Sequence, residues 1–168
     1  MGVAFQRSEN TTTTWLTPRA IVDALGPFDL DPATPQQGMP WQTARTMLKP
    51  SDDGLKTPWG SGAYVFMNPP FGKGQAQWMS KMAGHGHGIA LVMARMEVAW
   101  MHDSVLNHPN ASAMLVHRGR IKYCTADGAT AEAPPAGSLL IAYGPFAKEQ
   151  LKAAIKSGAV VGKYFDLN

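Results

Sequence analysis

Asn68-Pro69-Pro70-Phe71 puts an amide side chain, two prolines and an aromatic ring into four consecutive residues. Two prolines fix φ and supply no backbone N–H, so their carbonyls project from a stiff turn. One amide, one rigid carbonyl and one aromatic face are together suited to gripping a planar molecule that carries an amino group. On these four residues alone, a Pro-rich turn with Phe71 packed into the core is the alternative.

Other stretches carry potential chemistry. Phe28-Asp29-Leu30-Asp31-Pro32 alternates apolar and acidic residues and then stops at a proline. Carboxylates at the end of a strand are costly to bury unless paired or bound to a ligand, so Asp29 and Asp31 are candidate ligand contacts. Solvated acids in an Asp-Pro turn are the plainer reading. His117-Arg118-Gly119-Arg120-Ile121-Lys122-Tyr123 is the densest basic segment. Cations interleaved with an aromatic suit phosphate contact and base stacking, and a solvated turn is the alternative. Arg95 lies just past an apolar run. Lys73 sits in Gly72-Lys73-Gly74, which lacks the spacing of a nucleotide P-loop. His85 and His87 stand among glycines with no third ligand type nearby, so no metal site is expected. A single cysteine, Cys124, excludes an internal disulfide framework and a Cys-rich zinc site.

The elements that must position these groups follow from periodicity. Tyr64-Val65-Phe66-Met67 reads as a buried strand leading directly into Asn68. Residues 89–93, 114–116 and 138–143 read as further strands, and residues 160–165 as a short last one. Thr17 is an expected N-cap and Pro18 an expected first helical residue, with Ile21, Val22 and Leu25 as the apolar stripe and Gly26 as the stop. Helices are also expected over residues 75–83, through Trp100 and Leu106, and from Pro145, with Ala147, Leu151 and Ile155 on one face. Residues 84–88 read as a connecting loop. Residues 35–62 read as a long irregular connection and residues 125–137 as a mobile loop. Residues 1–14 are polar and read as a loose arm, leaving residues 15–168 as one domain.

Alternating strands and helices predict a single-domain, three-layer α/β fold with a mixed, mostly parallel sheet. In open sheets of this kind ligands bind at the carboxyl ends of the strands, where the acids, the quartet and Arg95 all fall. Apolar residues at 45% and charged residues at 16% point to a globular chain rather than a disordered one. No apolar run approaches the roughly 20 residues of a membrane span and no signal segment is evident, so a cytosolic protein is expected. A net charge of +3 permits a polyanionic partner without requiring one.

Together these blocks resemble the phage-type DNA N6-adenine methyltransferases, which use S-adenosylmethionine. The resemblance rests on Trp15-Leu16-Thr17-Pro18, Phe28 to Pro32, Asn68-Pro69-Pro70-Phe71, Ala94-Arg95 followed by Trp100, and Arg118 to Tyr123, in that order. It implies a Rossmann-like methyltransferase fold and a cytoplasmic enzyme of a bacterial host. It implies that Asn68, Pro69, Pro70 and Phe71 form the catalytic motif. The Asn68 amide oxygen and the Pro69 carbonyl would accept the N6 hydrogens of a flipped adenine, and Phe71 would stack on it. Trp15, Thr17, Pro18, Asp29, Asp31 and Pro32 would bind the cofactor, with Asp31 or Asp29 on its amino group. Lys73, Arg95, Arg118, Arg120 and Lys122 would meet DNA, expected to be double-stranded. The chain departs from the family in lacking a Gly-x-Gly after Asp31 and in having Phe71 where Tyr is commoner. Specificity would come from residues 35–62 and 124–137, or be relaxed. RNA or a protein glutamine amide as substrate, and a degenerate DNA-binding domain, are the competing readings.

Overall fold

The structure is a computed structural model and describes residues 15–131 and 133–168. The expected arm at residues 1–14 lies outside the described residues. One seven-stranded sheet runs in the order β2-β1-β3-β4-β6-β5-β7. The strands are β1 (Leu30–Asp31), β2 (Thr46–Met47), β3 (Val65–Met67), β4 (Gly88–Met93), β5 (Ala111–His117), β6 (Ser138–Tyr143) and β7 (Gly162–Asp166). The ladders among β2, β1, β3 and β4 are parallel, and those of β6 with β4, of β5 with β6 and of β7 with β5 are antiparallel. Strands β1 to β5 therefore point one way, and β6 and β7 the other. This is the mixed α/β sheet of a Rossmann-like methyltransferase fold.

Helices cover both faces. On one, α1 (Arg19–Leu25) and α4 (Pro145–Lys156) bury Ile21, Val22, Leu25, Ala147 and Leu151 against Phe66, Ile89, Leu91 and Leu140. On the other, α2 (Gln75–His85) and the short α3 (Ala99–Met101) bury Met79, Met82 and Met101 against Val65, Met67, Val92 and Ile141. Side chains alternate across a strand, so each of β3, β4 and β6 feeds both layers.

Several local expectations shift. Thr17 does not cap α1: Pro18 occupies the N-cap and no side chain makes a cap hydrogen bond. The α2 helix runs two residues beyond the expected end, taking in His85 before Gly86 stops it in the left-handed region at φ 72°. The helix after β4 is a single α-turn that continues as a π-helical turn over His102–Leu106. The long connection of residues 35–62 holds β2 and a 3-10 turn over Pro50–Asp52.

Part of that connection is pinned tightly. The Lys81 ammonium donates to the carbonyls of Gly54, Leu55 and Thr57 and lies 4.8 Å from the centre of the Trp59 ring. All three ammonium protons are used, which ties the loop to α2 at three carbonyls. Gly54 in turn rests on the Pro32 carbonyl, where a Cβ would sit 2.1 Å away.

Candidate active site

The sheet register brings the candidate groups together. Strands β1 and β3 are parallel neighbours with Leu30 opposite Val65. One residue further on, Asp31 stands beside Phe66, and alternation sends Asp31, Phe66 and Asn68 to the face that α1 covers. All three line a cleft of about 310 Å³ at the carboxyl ends of these strands. Trp15, Leu16 and Thr17 form another wall, Pro69, Pro70 and Phe71 follow Asn68, and residues 33–37 with Met39, Thr43 and Pro50 close the far side.

Asn68 is held by its amide nitrogen. That nitrogen donates to the Trp15 carbonyl at 2.8 Å and to the Thr17 hydroxyl oxygen at 3.1 Å. A carbonyl only accepts, so the nitrogen must face Trp15 and the amide oxygen must face away. Among the described residues no donor takes up that oxygen or the Pro69 carbonyl. Phe71 is half-buried at the rim.

Asp31 is buried, with 4% of its surface exposed. Its carboxylate accepts from the Thr43 hydroxyl at 2.5 Å and from the Ala33 N–H at 3.1 Å. Burial outweighs these two bonds and pushes its pKa up from 3.8 to about 6. The turn that follows is latched by Thr34, whose N–H and hydroxyl both donate to the Leu48 carbonyl. This latch, between the turn and a residue of the 35–62 connection, fixes the turn where a Gly-x-Gly is missing.

The wall formed by Trp15 to Thr17 is itself held from outside. Leu16 and Cys124 pair as an antiparallel bridge through two backbone hydrogen bonds. The Trp15 ring meets Tyr123 edge-on with centroids 6.0 Å apart. Tyr123 is 1% exposed and its hydroxyl is shared with Ser138 Oγ at 3.1 Å. It is a core residue and not a stacking platform for a base. Ile121 and Tyr123 point inward while Arg118, Arg120 and Lys122 are exposed, so the basic segment presents cations alone.

A family model described as DNA N-6-adenine-methyltransferase (Dam) matches residues 6–162. The chain belongs to this family. No curated protein matches it.

For a Dam-family chain, not every expected residue reaches the cleft. Asp29 does not line it; its carboxylate accepts the Tyr64 N–H at 2.9 Å and faces a separate groove beside Arg19 and Arg45. Pro18 and Pro32 are likewise absent from the lining. Arg95 lies beyond β4 in an exposed ion pair with Glu97 at 2.8 Å. Lys73 is exposed two residues after Phe71. Thr43 and the Tyr123 buttress have no local signal in the sequence, because both act through contacts with segments far along the chain. His85 bonds the Ala63 carbonyl and the His87 ring packs on Tyr64 and Phe146. Among the described residues no cluster of three or more His, Cys, Asp or Glu side chains is placed to hold a metal. No helix among them is long and apolar enough to cross a membrane.

Proposed function

We propose that this methyltransferase uses S-adenosylmethionine to methylate N6 of an adenine turned out of double-stranded DNA. The observation that carries the proposal is the Asn68 amide, anchored by its nitrogen and presenting its oxygen to the cleft beside the Pro69 carbonyl. Two acceptors on a rigid turn match the two hydrogens of an exocyclic amino group. Accepting both localises the nitrogen lone pair away from the ring, which is the form that attacks. Phe71 offers its face to the extruded base, and an extruded base is what a rim-mounted clamp requires.

The cofactor fits the residues opposite. The cleft lies within the ordinary size range of small-molecule sites, with apolar walls and one buried carboxylate. A carboxylate buried without a cation is poorly stabilised, and an ammonium at Asp31 would stabilise its charged form. Asp31 rather than Asp29 therefore holds the cofactor's amino group, with Trp15 beside it. Bound there, S-adenosylmethionine supplies the electrophilic methyl group. The protein's contribution is positioning and polarisation, with no covalent intermediate on the chain. Arg118, Arg120, Lys122 and Lys73 meet the DNA backbone, and residues 15–168 act as one catalytic domain.

Labelled cofactor offered with DNA, RNA or a protein extract tests the reading. Label should enter adenine in DNA, and label in RNA or protein alone would replace the proposed substrate. Asn68→Ala should abolish transfer while leaving cofactor binding intact. Retained transfer would remove Asn68 from the chemistry.

A further inference from the structure

An asparagine amide has two nearly isosteric orientations, related by half a turn about its last bond. One presents an acceptor to the cleft and the other a donor. Facing an amino group, the second sets donor against donor. Something must choose between them, and the choice lies in residues 15–17. In the observed orientation the Asn68 nitrogen gives its protons to the Trp15 carbonyl and the Thr17 hydroxyl. Flipped, the amide oxygen would face the Trp15 carbonyl, acceptor against acceptor. We propose that this strap is the positioning device of the reaction: the Trp15 carbonyl, which can only accept, selects the accepting orientation of the Asn68 amide, and Thr17 is a positioning residue whose hydroxyl holds the amide nitrogen in it. This rests on the function proposed above.

Three observations support it. Thr17 is 1% exposed, so water does not compete for its hydroxyl. That hydroxyl is not spent on capping α1, the local use its position suggests. The strap is also stiff: the Leu16–Cys124 bridge holds its backbone through bonds of 2.9 and 3.2 Å, and Tyr123 supports the Trp15 ring. The same geometry makes the strap selective for an amide at position 68. A carboxylate there would set a negative oxygen against the Trp15 carbonyl, and only its protonated form could donate in place of the amide.

Two substitutions test this in the full chain. Thr17→Val removes the hydroxyl at nearly constant volume and should slow single-turnover methyl transfer about tenfold, with S-adenosylmethionine affinity changed by less than about twofold. Thr17→Ser should bring the rate back to within about threefold of the parent. At saturating S-adenosylmethionine, Asn68→Asp should be strongly impaired near pH 8 and gain activity relative to the parent as pH falls toward about 5. Weakened cofactor binding with an unchanged saturated rate in Thr17→Val would make Thr17 a cofactor contact and overturn the proposal. So would an Asn68→Asp variant as active as the parent at neutral pH. If the parent transfers nothing to DNA, the functional reading fails, and the positioning claim is decided by NMR. The Asn68 side-chain amide protons should exchange faster in Thr17→Val, and unchanged exchange would overturn it.

Discussion

The Thr43 hydroxyl donates to Asp31 across 2.5 Å inside the cleft, yet Asp31 remains a weak acid. Burial holds its pKa at about 6 against an ordinary 3.8. The folded chain therefore binds this proton more tightly than the unfolded chain. The Asp31 contribution to stability should fall as pH rises from about 4 to about 6 and level off above, by roughly 2–3 kcal/mol in all. Asp31→Asn keeps the shape and drops the charge. It should stabilise the protein by about 1–2 kcal/mol near pH 7.5, with no gain near pH 4, while weakening cofactor binding. Urea denaturation at the two pH values checks the first part and calorimetry the second. An equal effect of Asp31→Asn at the two pH values would show that the carboxylate is not destabilised by its burial.

Phe71 offers a face but no hydrogen bond, so its ring should matter and a hydroxyl should not. Base–aromatic stacking contributes about 1–3 kcal/mol, so Phe71→Ala should lower transfer at subsaturating DNA roughly 5- to 150-fold. Phe71→Tyr should stay close to the parent. Both are read as kcat/KM for an adenine-containing duplex. An unaffected Phe71→Ala enzyme would confine Phe71 to packing.

The exposed cations divide by partner. Arg118, Arg120 and Lys122 are exposed on the segment that braces the active-site strap, whereas Arg95 is engaged by Glu97. Neutralising the first three to Gln should weaken DNA binding and reduce the slope of log affinity against log salt by about 0.9 for each phosphate that is no longer neutralised. Arg95→Gln should change the slope less. Fluorescence anisotropy over a salt series measures both, and equal slopes for the parent and the triple variant would remove this segment from the DNA interface.

The strand endings are the legible part of the site. The stretch before Asn68 is continuously apolar and the one before Asp31 alternates apolar and acidic, and both stop at prolines, which locates both groups at strand termini; the parallel register then makes them neighbours. Strand β6 is legible for the same reason, but its place between β4 and β5 is not: antiparallel insertion is a long-range pairing that leaves no mark on local pattern. Strand β2 has two residues, too few for a period to show. Local chemistry favours Thr17 as a helix cap, but a tertiary partner, Asn68, takes its hydroxyl instead. Tyr123 reads as a stacking platform because it stands among cations. An extended segment alternates sides, and Tyr123 falls on the inner one.

Gly54 is the position where packing and site meet most closely. A Cβ there would lie 2.1 Å from the Pro32 carbonyl oxygen and 2.9 Å from the Trp78 ring. The carbonyl belongs to the turn that follows Asp31, and Lys81 grips the loop of Gly54 from the other side. With neither flank free to yield, Gly54→Ala must lift the loop or displace the turn. It should destabilise the protein by about 2–3 kcal/mol, and displacement of the turn should weaken cofactor binding as well. Lys81→Met releases the grip and should be destabilising in its own right. With the Lys81 contacts gone, the Gly54 carbonyl keeps the Trp59 indole N–H, and the added methyl can move away from Pro32 more easily. The double variant should then be less destabilised than the sum of the two single ones, by about 1 kcal/mol, as measured in a denaturant double-mutant cycle. Strict additivity would mean that the loop responds to Pro32 and to Lys81 independently, and that the clamp does not press Gly54 against the turn.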